Sequence, residues 1–136
     1  MSDLRKKLKQ YILTEYKTLY TEEAVNPERQ RVKELARECQ KESGSTVDEL
    51  ENIRHGRRTP DTGKQALCVS RKVGSLDRDG HIVPDTFNKH VNALTAFPER
   101  RKELKDKCGK TNGENAEERA INFVKCMQSV LAKTPV

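Results

Sequence analysis

The chain has no tryptophan and only three phenylalanines and three tyrosines in 136 residues. Platforms on which nucleic-acid bases stack are therefore scarce. No run of about 18 apolar residues occurs, so no segment reads as a helix crossing a bilayer. No apolar stretch follows Met1 as a signal peptide would require. Hydrophobic residues make up 33% and charged residues 35%, against about 45–50% and 25% in an average domain. So polar a chain has little core to spend, and a covalent staple would help it fold.

There are four cysteines, at 39, 68, 108 and 126, and no two form a tight pair. A structural zinc site needs at least one Cys-x2–4-Cys pair to set two ligands on one turn, and a redox dithiol needs Cys-x-x-Cys. Neither is present, so no metal ligand is assigned to them. Each cysteine falls on or near an apolar helical face, as in Leu35/Cys39 and Phe123/Cys126, which suits two helix-to-helix disulfides. Such bonds require an oxidising compartment. The expectation is a secreted, mature form headed by Met1.

The net charge is +6, but the basic residues are scattered. Arg54, Arg57 and Arg58, then Arg100, Arg101 and Lys102, then Lys105, Lys107 and Lys110 alternate with acids. That pattern reads as solvated helix faces, not a nucleic-acid stripe. His55, His81 and His90 stand outside any Gly-x-Ser-x-Gly or His-Glu-x-x-His context, and the thiols are expected to be committed to disulfides. No catalytic residue and no cofactor are expected. His90, near Phe87 and Val91, reads as a core-edge histidine that could respond to pH. In "SLDRDGHIVPDT", Gly80 and Ile82 match a calcium loop, with Asp77 and Asp79 at ligand positions. Its two end ligands would be Ser75 and Thr86, which argues for an Asp-Gly turn instead.

Proline, glycine and capping residues punctuate the chain in a helical rhythm. "NPERQRVKELARECQKESG" offers Asn26 as cap, Pro27 at the first helical position and Gly44 past the end, with Val32, Leu35, Ala36 and Cys39 at helical spacing. "STVDELENIRHG" suggests a capping box from Thr46 to Glu49 and a stop at Gly56. "TPDTGKQALCVSRKVG" suggests a start at Thr59–Pro60 and a stop at Gly74. "PDTFNKHVNAL", "FPERRKELKDKCG" and "NAEERAINFVKCMQSVLAK" complete the set, the last capped by Asn115. No stretch alternates convincingly with period two, and the expectation is an all-α fold.

Residues 2–23 predict a separate amphipathic helix, with Leu4, Leu8, Ile12, Tyr16 and Leu19 in a stripe and Lys6, Lys7, Lys9 and Lys17 off it. Two units follow: an extension over 1–25 and a helical domain over 26–136. The extension is expected to dock on the domain or to pair two copies as a homodimer. A surface helix on a membrane would carry the same pattern. No stable membrane insertion is expected.

Two stretches carry a resemblance: "CQKESGSTVDELENIRHGRRTPDTGKQALCVSRKVGSLDRDGHIVPDTF" and "KCGKTNGENAEERAINFVKCM". In spacing, glycines and the Leu-Asp-x-Asp-Gly turn they resemble the insect odorant-binding proteins of the PBP/GOBP type. Six-cysteine members have a second cysteine four positions before the third, where Lys64 stands, and a fifth nine positions before the sixth, where Glu117 stands. Those two bond each other in the family, and both are missing. The chain thus looks like the four-cysteine, C-minus branch. The residues alone allow three connectivities; the resemblance implies Cys39–Cys68 and Cys108–Cys126. Loss of the third bridge leads us to expect freer motion of the third helix against the sixth and a more adaptable pocket.

The resemblance further implies a six-helix bundle around a closed apolar cavity that carries small hydrophobic molecules, such as odorants or pheromones, without bond chemistry. The apolar positions expected to line it are Leu50, Ile53, Val69, Val73, Leu76, Phe87, Val91, Leu94, Phe123, Val124, Met127 and Val130, with Phe123 and Met127 foremost. Each is otherwise simply core. Two rival functions stay open at this point. One is a scavenger of amine-type ligands, which would need a buried acid that the sequence does not reveal. The other is a basic module for acidic lipid or nucleic acid; nucleic acid is not the expected partner.

Overall fold

The computed structural model describes residues 26–133. The extension over 1–25, with its expected amphipathic helix and pairing role, lies outside the described residues. Those described fold into six α-helices, α1 Pro27–Ser43, α2 Glu49–Arg54, α3 Thr62–Lys72, α4 Pro84–Leu94, α5 Pro98–Cys108 and α6 Ala116–Leu131. The fold is all-α, and among the described residues only one isolated bridge, Leu76 to Ile82, pairs backbone as a strand would.

Most helix ends follow from the punctuation. The Asn26 side chain accepts from the Arg29 N–H and its amide donates to the Ala93 carbonyl, so one residue caps α1 and ties it to the end of α4. Gly44, at φ 68°, takes the left-handed conformation that closes α1. Asn115 accepts from the Glu118 N–H and caps α6.

Two starts differ from expectation. Asp48, not Thr46, caps α2, accepting from the Leu50 and Glu51 N–H groups. Glu49 cannot reach back to complete a box with Thr46, because its carboxylate is drawn inward to Thr59 and Thr62. For the same reason Thr59 and Pro60 belong to a turn, and α3 begins at Thr62.

The larger core joins α4, α5 and α6. Phe87, Val91, Leu94, Leu104, Ala120, Phe123, Met127 and Val130 pack there with Ile53, Ala66 and Leu76. Phe87 and Phe123 meet edge to face, with ring centroids 5.8 Å apart. A smaller cluster of Cys39, Val69 and Val73, flanked by Val32, Leu35 and Ala36, holds α1 against α3. Two disulfides bolt the clusters, Cys39–Cys68 joining α1 to α3 and Cys108–Cys126 joining α5 to α6. This is the pairing the resemblance implies.

The position of the missing third bridge is instructive. The α3–α6 pairing is the most extensive in the domain. Gly63 sits so close to α6 that a Cβ there would lie 2.7 Å from the Glu117 Cβ. A disulfide needs about 3.5–4.5 Å between Cβ atoms. Glu117 therefore packs on a bare glycine backbone, while the adjacent Lys64 is exposed. Close approach of two helices stands where the resemblance to six-cysteine proteins would set a covalent link.

Candidate functional site

A cavity of about 540 Å³ lies between α1, α2, α3 and α6, with the end of α4 at its base. Its apolar wall is built by helical register. Val32 and Ala36 come from one face of α1, Val69 and Val73 from α3, and Phe123, Val124, Met127 and Leu131 from α6. Leu50 and Leu94 complete it.

Seven of the twelve residues singled out above border this cavity: Leu50, Val69, Val73, Leu94, Phe123, Val124 and Met127. Ile53 borders a separate hollow of about 240 Å³ between α2 and α6. Leu76, Phe87, Val91 and Val130 border neither hollow; they are at most 3% exposed and belong to the large core. Those four sit where helix packs directly on helix, so their inward faces meet side chains instead of space. The wall also includes Val32, Ala36 and Leu131, whose apolar spacing was visible, and polar groups that were not anticipated: Arg29, Ser70, His90 and Gln128.

Closure differs from expectation. Lys33, Arg37, Asp48, Glu51 and Arg54 are exposed residues that border the cavity. Among the described residues it therefore opens to solvent along the α1–α2 side.

Two buried polar groups shape the surroundings. Burial pushes the His90 imidazole below the ordinary histidine value, outweighing the pull of Glu28 in the other direction. Its Nδ1 lies 2.9 Å from a Glu28 carboxylate oxygen, which Arg31 also contacts. Burial works to raise the Glu28 carboxyl, but hydrogen bonds from Arg31 and His90 outweigh it and hold it below the ordinary value. A neutral ring donating from Nδ1 to an ionised carboxylate fits both shifts. An NMR titration should show His90 taking up its proton at lower pH than an ordinary histidine. The unfolded chain protonates first, so this group's contribution to stability is present above the ordinary value and is lost as pH falls. Titration at or above the ordinary value would show the ring is not buried as described.

Glu49 is the second group. It is 1% exposed and is the only buried acid among the described residues. It does not border the cavity, so it offers no counter-ion to an amine bound there. The Asp77, Asp79 and His81 side chains cluster on the surface. The Asp77 carboxylate accepts from the Asp79 and His81 N–H groups, which closes the Asp-Gly turn.

All four described cysteines are bonded to one another. The arrangement therefore offers a lined space with a polar rim, suited to holding a molecule. No helix among the described residues is long and apolar enough to cross a membrane.

Comparison with known proteins agrees. The chain is 26% identical over 98 residues to the B1 protein of Tenebrio molitor, covering 71% of this chain and 75% of that one. It is 26% identical over 100 residues to the B2 protein of the same beetle, covering 72% and 77%. A family model described as the PBP/GOBP family matches residues 21–130. Together with the six helices and two bridges, that match places the chain in the PBP/GOBP family, whose members are small-ligand-binding proteins and not enzymes.

Proposed function

We propose that the protein is a secreted carrier that takes small hydrophobic molecules, odorants or pheromones among them, into this cavity. Two disulfides support the extracellular setting, since such bonds persist in oxidising fluid. The observation that carries the reading is the cavity itself: about 540 Å³ bordered by Val69, Val73, Leu94, Phe123 and Met127. A volume of that size is in the range of small-molecule sites.

The energetics are sufficient without chemistry. Each buried CH₂ contributes about 0.8 kcal/mol, so a ligand of about ten to fifteen carbons gains roughly 8–12 kcal/mol gross. Association and ordering costs of about 4 kcal/mol or more reduce this, so micromolar binding, about 8 kcal/mol, is reached only at the top of that range.

Val124 is half-buried at the edge of the large core and borders the cavity, so a larger side chain there takes up cavity space. The Val124→Trp variant should bind the fluorescent apolar probe N-phenyl-1-naphthylamine about tenfold more weakly, while its thermal midpoint moves by only a few degrees. Unchanged probe affinity in that folded variant would show that ligands bind elsewhere.

A further inference from the structure

The polar side of the same cavity carries an imbalance. Arg29, Lys33, Arg37 and Arg54 border it, against only Asp48 and Glu51. Both acids are already engaged. Asp48 accepts the Leu50 and Glu51 N–H groups as the cap of α2. Glu51 lies 2.9 Å from the His55 ring and 3.9 Å from Arg54. Lys33 and Arg37 are different. They are four residues apart on α1, so they project from one face, and both are exposed. Neither side chain has a hydrogen bond or ion pair among the described residues, although most other cations of the domain do. Each of the two is preceded by an apolar neighbour, Val32 or Ala36, that belongs to the apolar wall.

We propose that this cavity selects anionic amphiphiles, which enter tail first and leave an anionic head at the rim against Lys33 and Arg37. The inference rests on the carrier reading and adds to it the class of ligand and its direction of binding. The aliphatic tail fills the space between α3 and α6. The carboxylate stays at the solvent edge, where two cations on one helical face meet it and where it keeps part of its hydration. That placement avoids the large penalty of burying a charge. Arg37 can present its guanidinium to both carboxylate oxygens, while Lys33 acts as a point charge. Exposed pairs are individually weak and are screened by salt. The pair together is therefore worth about tenfold in affinity at low ionic strength.

Three probes with one tail test this on the full chain: dodecanoate, dodecanol and dodecyltrimethylammonium, titrated at neutral pH below the micelle concentration of the two ions and below the solubility limit of the alcohol. At about 20 mM salt, dodecanoate should bind about tenfold more tightly than dodecanol, and the ammonium most weakly. Raising salt to about 300 mM should shrink the carboxylate advantage to about twofold or threefold, through screening. In the Lys33→Gln/Arg37→Gln double variant, dodecanoate should lose its tenfold advantage and bind no more tightly than dodecanol. Equal binding of carboxylate and alcohol by the native chain overturns this inference and leaves the carrier reading standing. Equal weakening of all three probes in the variant also overturns it, because the loss would then be structural. Failure of dodecanol and dodecanoate alike to bind removes both readings. Sedimentation with phosphatidylserine vesicles that dodecanoate does not compete away would assign the two cations to a membrane surface and overturn it as well.

Discussion

Replacing Cys39 and Cys68 together by alanine should lower the unfolding free energy by about 3.5 kcal/mol, the chain-entropy value for a loop with a sequence separation of 29. A loss of that size in a domain of about 110 residues moves the thermal midpoint down by roughly 10–20 °C. It should also abolish probe binding well below the unfolding temperature. The cause is local. The bridge anchors α1, and α1 supplies Val32, Ala36, Lys33 and Arg37 to the cavity. Apart from the bridge, α1 is held by the small cluster around Val69 and Val73, by Asn26 and Arg29 at its first turn, and by surface pairs such as Lys72 with Glu38 and Glu42. Those surface pairs contribute little.

The Cys108–Cys126 bridge closes a shorter loop, with a separation of 18, and the companion double replacement by alanine should cost about 3 kcal/mol by the same relation. Neither residue borders the cavity, and both adjoin the large core. That variant should keep most of its probe affinity while folded. Denaturant unfolding and probe titration of the two variants side by side decide the matter. Similar affinity loss in both, or retained binding without the α1–α3 bridge, would mean that α1 is not a structural wall of the site.

The legible part of this fold was its punctuation. Pro27, Pro84 and Pro98 each mark a first helical position, where the fixed φ suits a helix and the missing N–H has no partner to lose, and Asn115 marks a cap through its side-chain oxygen. The short α2 was harder. Asp48 and Thr46 are both competent caps, and the choice between them was settled by where Glu49 went, which is a tertiary matter. The family likeness supplied the disulfide pairing that residue spacing left open. The cavity was legible only as a set of inward-facing residues. Periodicity assigns Val91 and Val69 alike to the inside. Whether an inward side chain meets another or meets space depends on the spread of the helices behind it, and no local pattern encodes that. The cationic side of the rim was missed for a related reason: Lys33 and Arg37 look like any solvated helix face until α2 and α6 are set beside them.

Glu49, which the sequence offers only as the partner of Thr46 in a capping box, carries the second large expected effect. Its carboxylate accepts from Thr62 Oγ1 at 2.5 Å, Thr59 Oγ1 at 2.7 Å and Asn52 Nδ2 at 3.2 Å. The two hydroxyls are not free to turn elsewhere, since the Thr59 and Asp61 N–H groups already occupy their acceptor sides. The carboxylate thus locks the turn that joins α2 to α3, and the paired threonines in "TPDT" were its only trace in the sequence.

Glu49→Ala would strand buried donors and leave a void, at an expected cost of about 2–4 kcal/mol. Glu49→Gln keeps the shape but sets an amide N–H₂ against a hydroxyl hydrogen, and should cost about 1–3 kcal/mol, near the penalty for one unmade bond.

The pH dependence separates this mechanism from simple packing. Burial works to raise the Glu49 carboxyl, but the Thr62, Thr59 and Asn52 donors outweigh it and hold it below its ordinary value of 4.5. As pH falls, the unfolded chain binds a proton at this site before the folded one does. The contribution is therefore complete above the ordinary value and lost as pH drops through the folded value. The stability gap between native protein and the Glu49→Gln variant should be largest at neutral pH and should narrow on acidification below that ordinary value. A gap that stays constant across the acid range would mean that the charge itself does nothing, and that the threonines hold only the shape of the side chain.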